Sequence, residues 1–229
     1  MLVMRWFGLA AVALSLGSCA LQSPLTTEAA AKLNGRRLTT VVRRSTPFLV
    51  SKAHMAPDLA SPIGGVIAAS DIGERLVREN AIADPAFTIA RELDDELRRR
   101  YGLRQSPTLL AAVDDDPTRI GSLDAASDLV LDVWTDHWEM GRFDNDDPGY
   151  VVTYQVNLRL IDAKVVRAID GKSGAVIAEG TCVRNSEEAP GRPTRDGLLA
   201  DHARRLKDEL DAATRFCIND LSVKILLDR

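Results

Sequence analysis

The segment from Asp136 to Asp147 holds a dense group of side chains that could bind a metal ion. It combines the imidazole of His137 with several carboxylates, including Asp144 and Asp146. Those two aspartates have the spacing of the first and third ligands of a calcium loop, but Gln155 stands where that loop needs a bidentate glutamate. Because the motif is incomplete, we expect no metal site and a solvated hairpin tip instead. A metal-binding or hydrolytic role for this segment is the alternative.

Other catalytic motifs fail at defined positions. Gly171-Lys172-Ser173 has the residues that end a phosphate-binding loop, yet Val166 stands where that loop requires its first glycine. The sequence has no Gly-x-Ser-x-Gly nucleophile motif and no paired-histidine zinc motif. We therefore expect neither enzyme activity nor a cofactor.

Three aromatic residues lie near the acidic segment: Trp134, Trp138 and Tyr150. Tryptophan and tyrosine combine a large apolar area with a polar group, which is typical of residues that dominate protein interfaces. These three are our candidate interaction surface, and packing in the core is the alternative.

The first cysteine follows a short apolar stretch. Arg5 precedes apolar residues 6–16, which are too few for a permanent transmembrane helix, and Leu16-Gly17-Ser18-Cys19 comes next. These features resemble the signal peptide and lipobox of bacterial lipoproteins, in which small residues precede a cysteine that becomes acylated.

The resemblance implies three parts: a signal peptide at 1–18, a lipidated N-terminus and tether at 19–36, and a single α+β periplasmic domain at 37–229. Cys19 would carry a diacylglycerol and an N-linked acyl chain such as palmitate, and two or more chains make membrane anchoring stable. Ala20 and Leu21 do not match the aspartate signal that retains enteric lipoproteins in the inner membrane. We therefore expect the periplasmic face of the outer membrane, with the inner membrane as the alternative.

Assigning Cys19 to lipid leaves Cys182 and Cys217 as an even pair in an exported chain. Such chains meet an oxidising compartment, so we expect a disulfide between these two cysteines. Two separate buried thiols are the alternative.

The 229-residue chain carries 29 basic and 33 acidic side chains, a formal net charge of -4. This balance provides no broad cationic field for nucleic acid, so we expect no nucleic-acid partner. The expected partners are a membrane, reached through the lipid, and another envelope protein.

Alternating apolar residues predict a sheet. Val152 to Leu160 and Leu129 to Trp134 alternate with period two, and residues 164–169 and 175–183 flank a glycine-containing turn. Consecutive hairpins of this kind predict an antiparallel meander.

Helical spacing appears on both sides of these strands. It is found from Pro85 to Tyr101 and from Leu199 to Cys217, while Asp71 and Glu74 have capping-box spacing. Alternation from Leu221 to Leu227 predicts a closing C-terminal strand. The predicted fold is therefore α+β, with two or three helices packed on one face of the meander.

We expect a non-catalytic, membrane-anchored periplasmic lipoprotein that binds another protein in envelope assembly, transport or maintenance. In outline alone, the order of elements resembles the periplasmic domains of assembly lipoproteins such as those of the curli-secretion and TolB N-terminal group. Two alternatives stay open. One is an envelope hydrolase or metal-binding protein that uses the acidic loop 136–147, and the other is a carrier of an apolar ligand.

Overall fold

The computed structural model describes residues 22–51, 62–106, 115–142, 149–168, 175–186 and 191–226. The strands are β1 (Arg37–Val42), β2 (Leu49–Ser51), β3 (Arg104–Gln105), β4 (Leu129–Arg142), β5 (Tyr150–Asp162) and β6 (Val176–Asn185). The helices are α1 (Thr27–Ala31), α2 (Pro62–Asn80), α3 (Pro85–Tyr101), α4 (Pro117–Gly121), α5 (Ala163–Ala168) and α6 (Arg195–Leu221), and a π-helical turn (Ser222–Leu226) follows α6.

All six strands belong to one sheet in the order β3-β1-β4-β5-β6, with β2 pairing beside β1 on the same edge of β4. Strands β4, β5 and β6 are antiparallel neighbours, which confirms the predicted meander. Strands β1 and β2 run parallel to β4, and β3 runs parallel to β1, so the sheet as a whole is mixed. The predicted α+β class is confirmed.

The two faces of the sheet differ in what covers them. The inner face packs against α2, α3 and α6 and forms the main core, which includes Leu131, Tyr154 and Leu158. On the outer face, α4 and α5 cover one end through a smaller apolar cluster around Ile120 and Val166. Helices on one face of an antiparallel meander bury the apolar alternation that the sequence shows.

An extra residue interrupts the long hairpin of β4 and β5. Thr135 pairs with Val156 and His137 pairs with Gln155, so Asp136 is left as a bulge. A bulge reverses the alternation of the strand that carries it. Thr135 therefore points to the inner face before the bulge, and Trp138 points to the same face after it.

Helix α3 follows its sequence signals. The Asp84 carboxylate accepts a hydrogen bond from the amide of Ala86 at 2.9 Å, and Gly102 ends the helix with a left-handed φ of 63°. Leu93 and Leu97 are buried as expected, whereas Phe87 is 51% exposed.

Helix α6 departs from regular geometry near its start. Residues Ala200 to Ala203 leave helical backbone angles, and φ is positive from Asp201 to Ala203. The break changes the phase of the apolar stripe, and Leu198 is buried where the sequence pattern indicated Leu199.

Two predicted strands are wrong. Residues 164–168 form most of α5, because the Asp162 carboxylate accepts hydrogen bonds from the amides of Lys164 and Val165 and so caps a helix. The predicted closing strand from Leu221 is helical as well: α6 continues to Leu221, and Lys224 pairs with Asp220 one turn away at 2.6 Å.

The predicted tether is also shorter than expected. Helix α1 forms within it, and Leu25 and Leu33 are buried in the main core at 4% and 0% exposure. The chain is therefore packed on the domain almost from Gln22 onward. No helix in the described ranges combines the length and hydropathy that crossing a bilayer requires.

Candidate functional site

The three aromatic residues of the predicted interaction surface do not share a surface. Trp138 and Tyr150 are 3% and 8% exposed, so the prediction is wrong for both. Trp138 packs edge to face on Phe48 with ring centroids 5.1 Å apart, and its indole N–H donates to the carbonyl of Thr46 at 2.7 Å. The bulge at Asp136 turns Trp138 into the core, whereas Trp134 is half-buried on the outer face.

The candidate metal ligands are not assembled in the described structure. His137 lies in β4, not in a loop, and its Nε2 is 3.5 Å from a carboxylate oxygen of Glu139. Asp144 and Asp146 lie outside the described residues. The ranges that are described contain no group of three or more histidine, cysteine, aspartate or glutamate side chains placed to hold a metal ion.

Cys182 and Cys217 form a disulfide, with their Cα atoms 5.5 Å apart. The predicted pairing is confirmed. The bond ties α6 to β6, the edge strand of the sheet, and both cysteines are buried. Cys19, the predicted lipidation site, lies outside the described residues.

The outer face instead carries a charged cluster around Asp132, whose side chain is fully buried. The guanidinium of Arg43 donates to both carboxylate oxygens of Asp132, at 2.9 and 2.5 Å. Arg159, on the neighbouring strand β5, donates to the same carboxylate at 2.8 Å and to the carbonyl of Asp115 at 3.1 Å. Arg43 also pairs with the exposed carboxylate of Asp115. A buried aspartate held by two guanidiniums is costly to leave unpaired, so the cluster fixes its members in place.

Trp134 is held between the two arginines of this cluster. The guanidinium carbons of Arg43 and Arg159 lie 3.8 and 4.7 Å from the centroid of its ring. Cation–π contacts of this kind contribute about 0.5–2 kcal/mol each, depending on how far they are desolvated. Because Trp134 is half-buried, its held ring also presents apolar surface to solvent.

Polar side chains continue the outer face beyond Trp134. Asn157 is the direct cross-strand partner of Trp134 and accepts a hydrogen bond from Thr181 at 2.6 Å. Gln155 donates to Asp136 at 2.8 Å. Asn157, Thr181 and Gln155 are all half-buried, so this part of the face meets solvent with ordered polar groups.

One carboxylate anchors the far end of the sheet. Asp124 accepts hydrogen bonds from the hydroxyls of Ser127, Thr39 and Ser106 and from the amide of Ala126. These donors, led by Ser127, stabilise the charged form and hold the pKa of Asp124 far below its usual value. The network joins β1 to the residues before β4 and after β3.

A second network links the sheet to the start of α3. Thr135 donates to the Asp84 carboxylate at 2.5 Å, and its hydroxyl also bonds the phenol of Tyr154 at 3.0 Å. Burial is the main reason that the pKa of Tyr154 is raised well above its usual value, and the charge of Asp84 adds to the effect.

A cavity of about 320 Å³ lies beside this second network. Its lining mixes the charged side chains of Arg44, Glu74, Arg78 and Asp84 with apolar ones such as Val77, Ile82 and Trp138. The volume is at the lower end of the range for small-molecule sites. The charged lining gives little support to a carrier of a purely apolar ligand.

No protein-family model and no curated protein matches the sequence. Three solved structures are similar over most of the chain. PelC from Paraburkholderia phytofirmans, a dodecamer, has a TM-score of 0.36 and 16% identity, with coverage of 90% of this chain and 96% of that one. Protein XCC0632 from Xanthomonas campestris has a TM-score of 0.36 and 14% identity, covering 84% and 86% of the two chains. Lipoprotein GNA1162 from Neisseria meningitidis has a TM-score of 0.25 and 14% identity, covering 80% and 99%. TM-scores of this size do not transfer a function.

Sequence reasoning missed the charged cluster. One signal was present: Asp132 interrupts a run of apolar residues in β4, and a buried carboxylate needs a cationic partner. The partners could not be named, because Arg43 and Arg159 lie on other strands, 89 and 27 residues away.

Proposed function

We propose that this chain is a non-catalytic envelope lipoprotein, anchored through Cys19, that binds another envelope protein with the outer face of its sheet. The binding surface is centred on Trp134 and includes Asn157 and Gln155. The lipobox at Leu16-Gly17-Ser18-Cys19 supports the anchoring, and the predicted location is the periplasmic face of the outer membrane.

The observation that carries the binding proposal is the immobilised ring of Trp134. Interfaces gain most of their affinity from a few rigid aromatic and arginine anchors surrounded by polar groups. Trp134 is clamped by Arg43 and Arg159, so little side-chain entropy is left to lose when a partner covers it.

The charged cluster supports a structural role for its own members. Both guanidiniums direct hydrogen bonds to Asp132, which neutralises much of their charge inside the protein. The cluster therefore positions Trp134 and does not present an unpaired charge to a substrate. This arrangement favours binding over catalysis.

Photocrosslinking in intact cells of the native host tests the binding surface. A photoreactive amino acid at Asn157 lies opposite Trp134, and the same group at the half-buried Glu209 of α6 is the matched control. We expect a discrete adduct from position 157, no adduct from position 209, and loss of the adduct when Trp134→Ala is added. Equal crosslinking from both positions, or an adduct unaffected by Trp134→Ala, would contradict the proposal.

Fractionation tests the anchor. Cys19→Ala should move the protein from the membrane to the soluble periplasmic fraction, because its acyl chains provide the stable attachment. Membrane retention unchanged by the substitution would refute acylation at Cys19 as the attachment.

A further inference from the structure

The N-terminal segment is fastened to the edge strand β6. The amide of Ser23 donates to the carbonyl of Glu179 at 2.9 Å, and the amide of Glu179 donates back to Ser23 at 2.8 Å. This isolated bridge is antiparallel, and the buried Leu25 follows it directly. The segment is therefore held on β6 before it enters the domain.

The bridge limits where Cys19 can lie. Four residues separate Cys19 from Ser23, and an extended chain of that length spans at most about 14 Å. Because the bridge is antiparallel, the chain at Gln22 leads back toward the carboxyl end of β6. Val183 lies four residues beyond Glu179 on that strand, about 13 Å away at the usual rise. A lipid on Cys19 thus enters its membrane close to this edge of the sheet.

Exposed apolar side chains are concentrated at the same edge. Among the described residues, the exposed large hydrophobic side chains are Phe87, Leu123, Val183, Phe216 and Val223, and three of these border β6. Val183 is on β6 itself and is 49% exposed. Phe216 is 41% exposed, precedes the disulfide cysteine Cys217 and lies under the guanidinium of Arg184 at 5.1 Å.

Val223 extends this apolar border. It is 43% exposed and lies seven residues after Phe216, about two helical turns farther along. The π-helical turn that carries Val223 contacts β6. Single exposed hydrophobic residues are ordinary on a protein surface, but three beside a lipid attachment point define a patch. We call Val183, Phe216 and Val223 the edge patch.

We infer that the edge patch rests on the lipid bilayer into which the acyl chains of Cys19 insert. This inference deepens the proposed function, since it rests on acylation at Cys19. The short reach from Ser23 holds the patch at the membrane surface, where attachment makes further lipid contacts intramolecular. The exposed Arg215 beside Phe216 adds a cation suited to lipid phosphates. The domain then lies with β6 against the membrane and its outer face roughly perpendicular to it.

Fluorescence quenching by brominated lipid tests this orientation. The mature lipidated protein would be reconstituted into vesicles of phosphatidylethanolamine and phosphatidylglycerol with brominated acyl chains. Phe216→Trp places a probe in the edge patch. Leu123→Trp is the matched control, because Leu123 is 46% exposed and precedes Asp124, which bonds Thr39 on β1 and Ser106 just after β3 near the opposite edge. The unsubstituted protein supplies the emission to subtract.

We expect bromination to remove most of the emission added by Phe216→Trp and little of that added by Leu123→Trp. If the protein floats with the vesicles but neither probe is quenched, or both are quenched equally, the orientation is refuted while the lipid anchor stands. If the protein does not float and its mass shows an unmodified Cys19, the anchor and the orientation both fail.

Discussion

Reducing the disulfide between Cys182 and Cys217 should lower the free energy of unfolding substantially. The two cysteines are 35 residues apart, and closing a loop of that length restricts the unfolded chain by about 4 kcal/mol on the chain-entropy model. With a urea m-value of about 2 kcal/mol/M, the unfolding midpoint should fall by about 2 M. Strain and residual unfolded structure make this an upper value.

Urea denaturation of the oxidised and reduced protein, followed by circular dichroism and tryptophan fluorescence, measures the difference. Reduction keeps both buried side chains in place, so it isolates the cross-link from the cavities that alanine would create. The control is the double variant Cys182→Ala with Cys217→Ala, whose midpoint should not respond to reductant. If the unsubstituted protein has the same midpoint before and after full reduction, the argument from unfolded-chain entropy is refuted.

Three further perturbations test the packing of the sheet. Asp132→Asn should lower the free energy of unfolding by about 3–5 kcal/mol in urea denaturation, because it leaves two guanidiniums without a buried anion, while Asp136→Asn in the exposed bulge should change it by less than about 0.5 kcal/mol. The lowered pKa of Asp124 should stabilise the fold above the unfolded pKa of about 3.9 and be lost as pH falls toward the lower folded value, so acid titration followed by circular dichroism should show a shallower loss for Asp124→Asn. Gly73→Ala should weaken the docking of α2, since an added Cβ would meet the carbonyl oxygen of Phe48 at 1.6 Å, and a urea midpoint equal to that of the unsubstituted protein would contradict this close approach.

Local patterns carried much of the fold. The alternation of β5 and the stripe of α3 are visible in the sequence because each element buries one face against the same core. The two cysteines could be paired because their number and compartment left few choices. These features depend on residues near each other in the chain or on simple counting.

The errors arose where tertiary contacts or capping overrode local propensity. Val165 and Val166 favour a strand, yet the carboxylate of Asp162 supplies a helix cap that the prediction overlooked. The tether of polar and small residues hides two core positions, Leu25 and Leu33. The parallel pairing of β1 with β4 joins residues about 90 positions apart, and no local pattern specifies such a partner.

The candidate site was only partly predictable for the same reason. Trp134 was chosen from its residue type, but its neighbour Trp138 was assigned to the same surface because the bulge at Asp136 has no evident sequence signal. The arginines that clamp Trp134 come from other strands. Only the assembled sheet brings the three side chains together.

The bulge at Asp136 also selects a single alignment for the hairpin. Leu131 and Val133 lie at odd positions before it, whereas Trp138 and Met140 lie at even positions after it, and all four are buried in the same core. A slip of one residue turns every side chain of a strand to the opposite face. Any shifted pairing that lacks the bulge would therefore bury one of these pairs and expose the other. The single extra residue acts as a register key, which excludes misaligned hairpins during folding by making each of them half wrong.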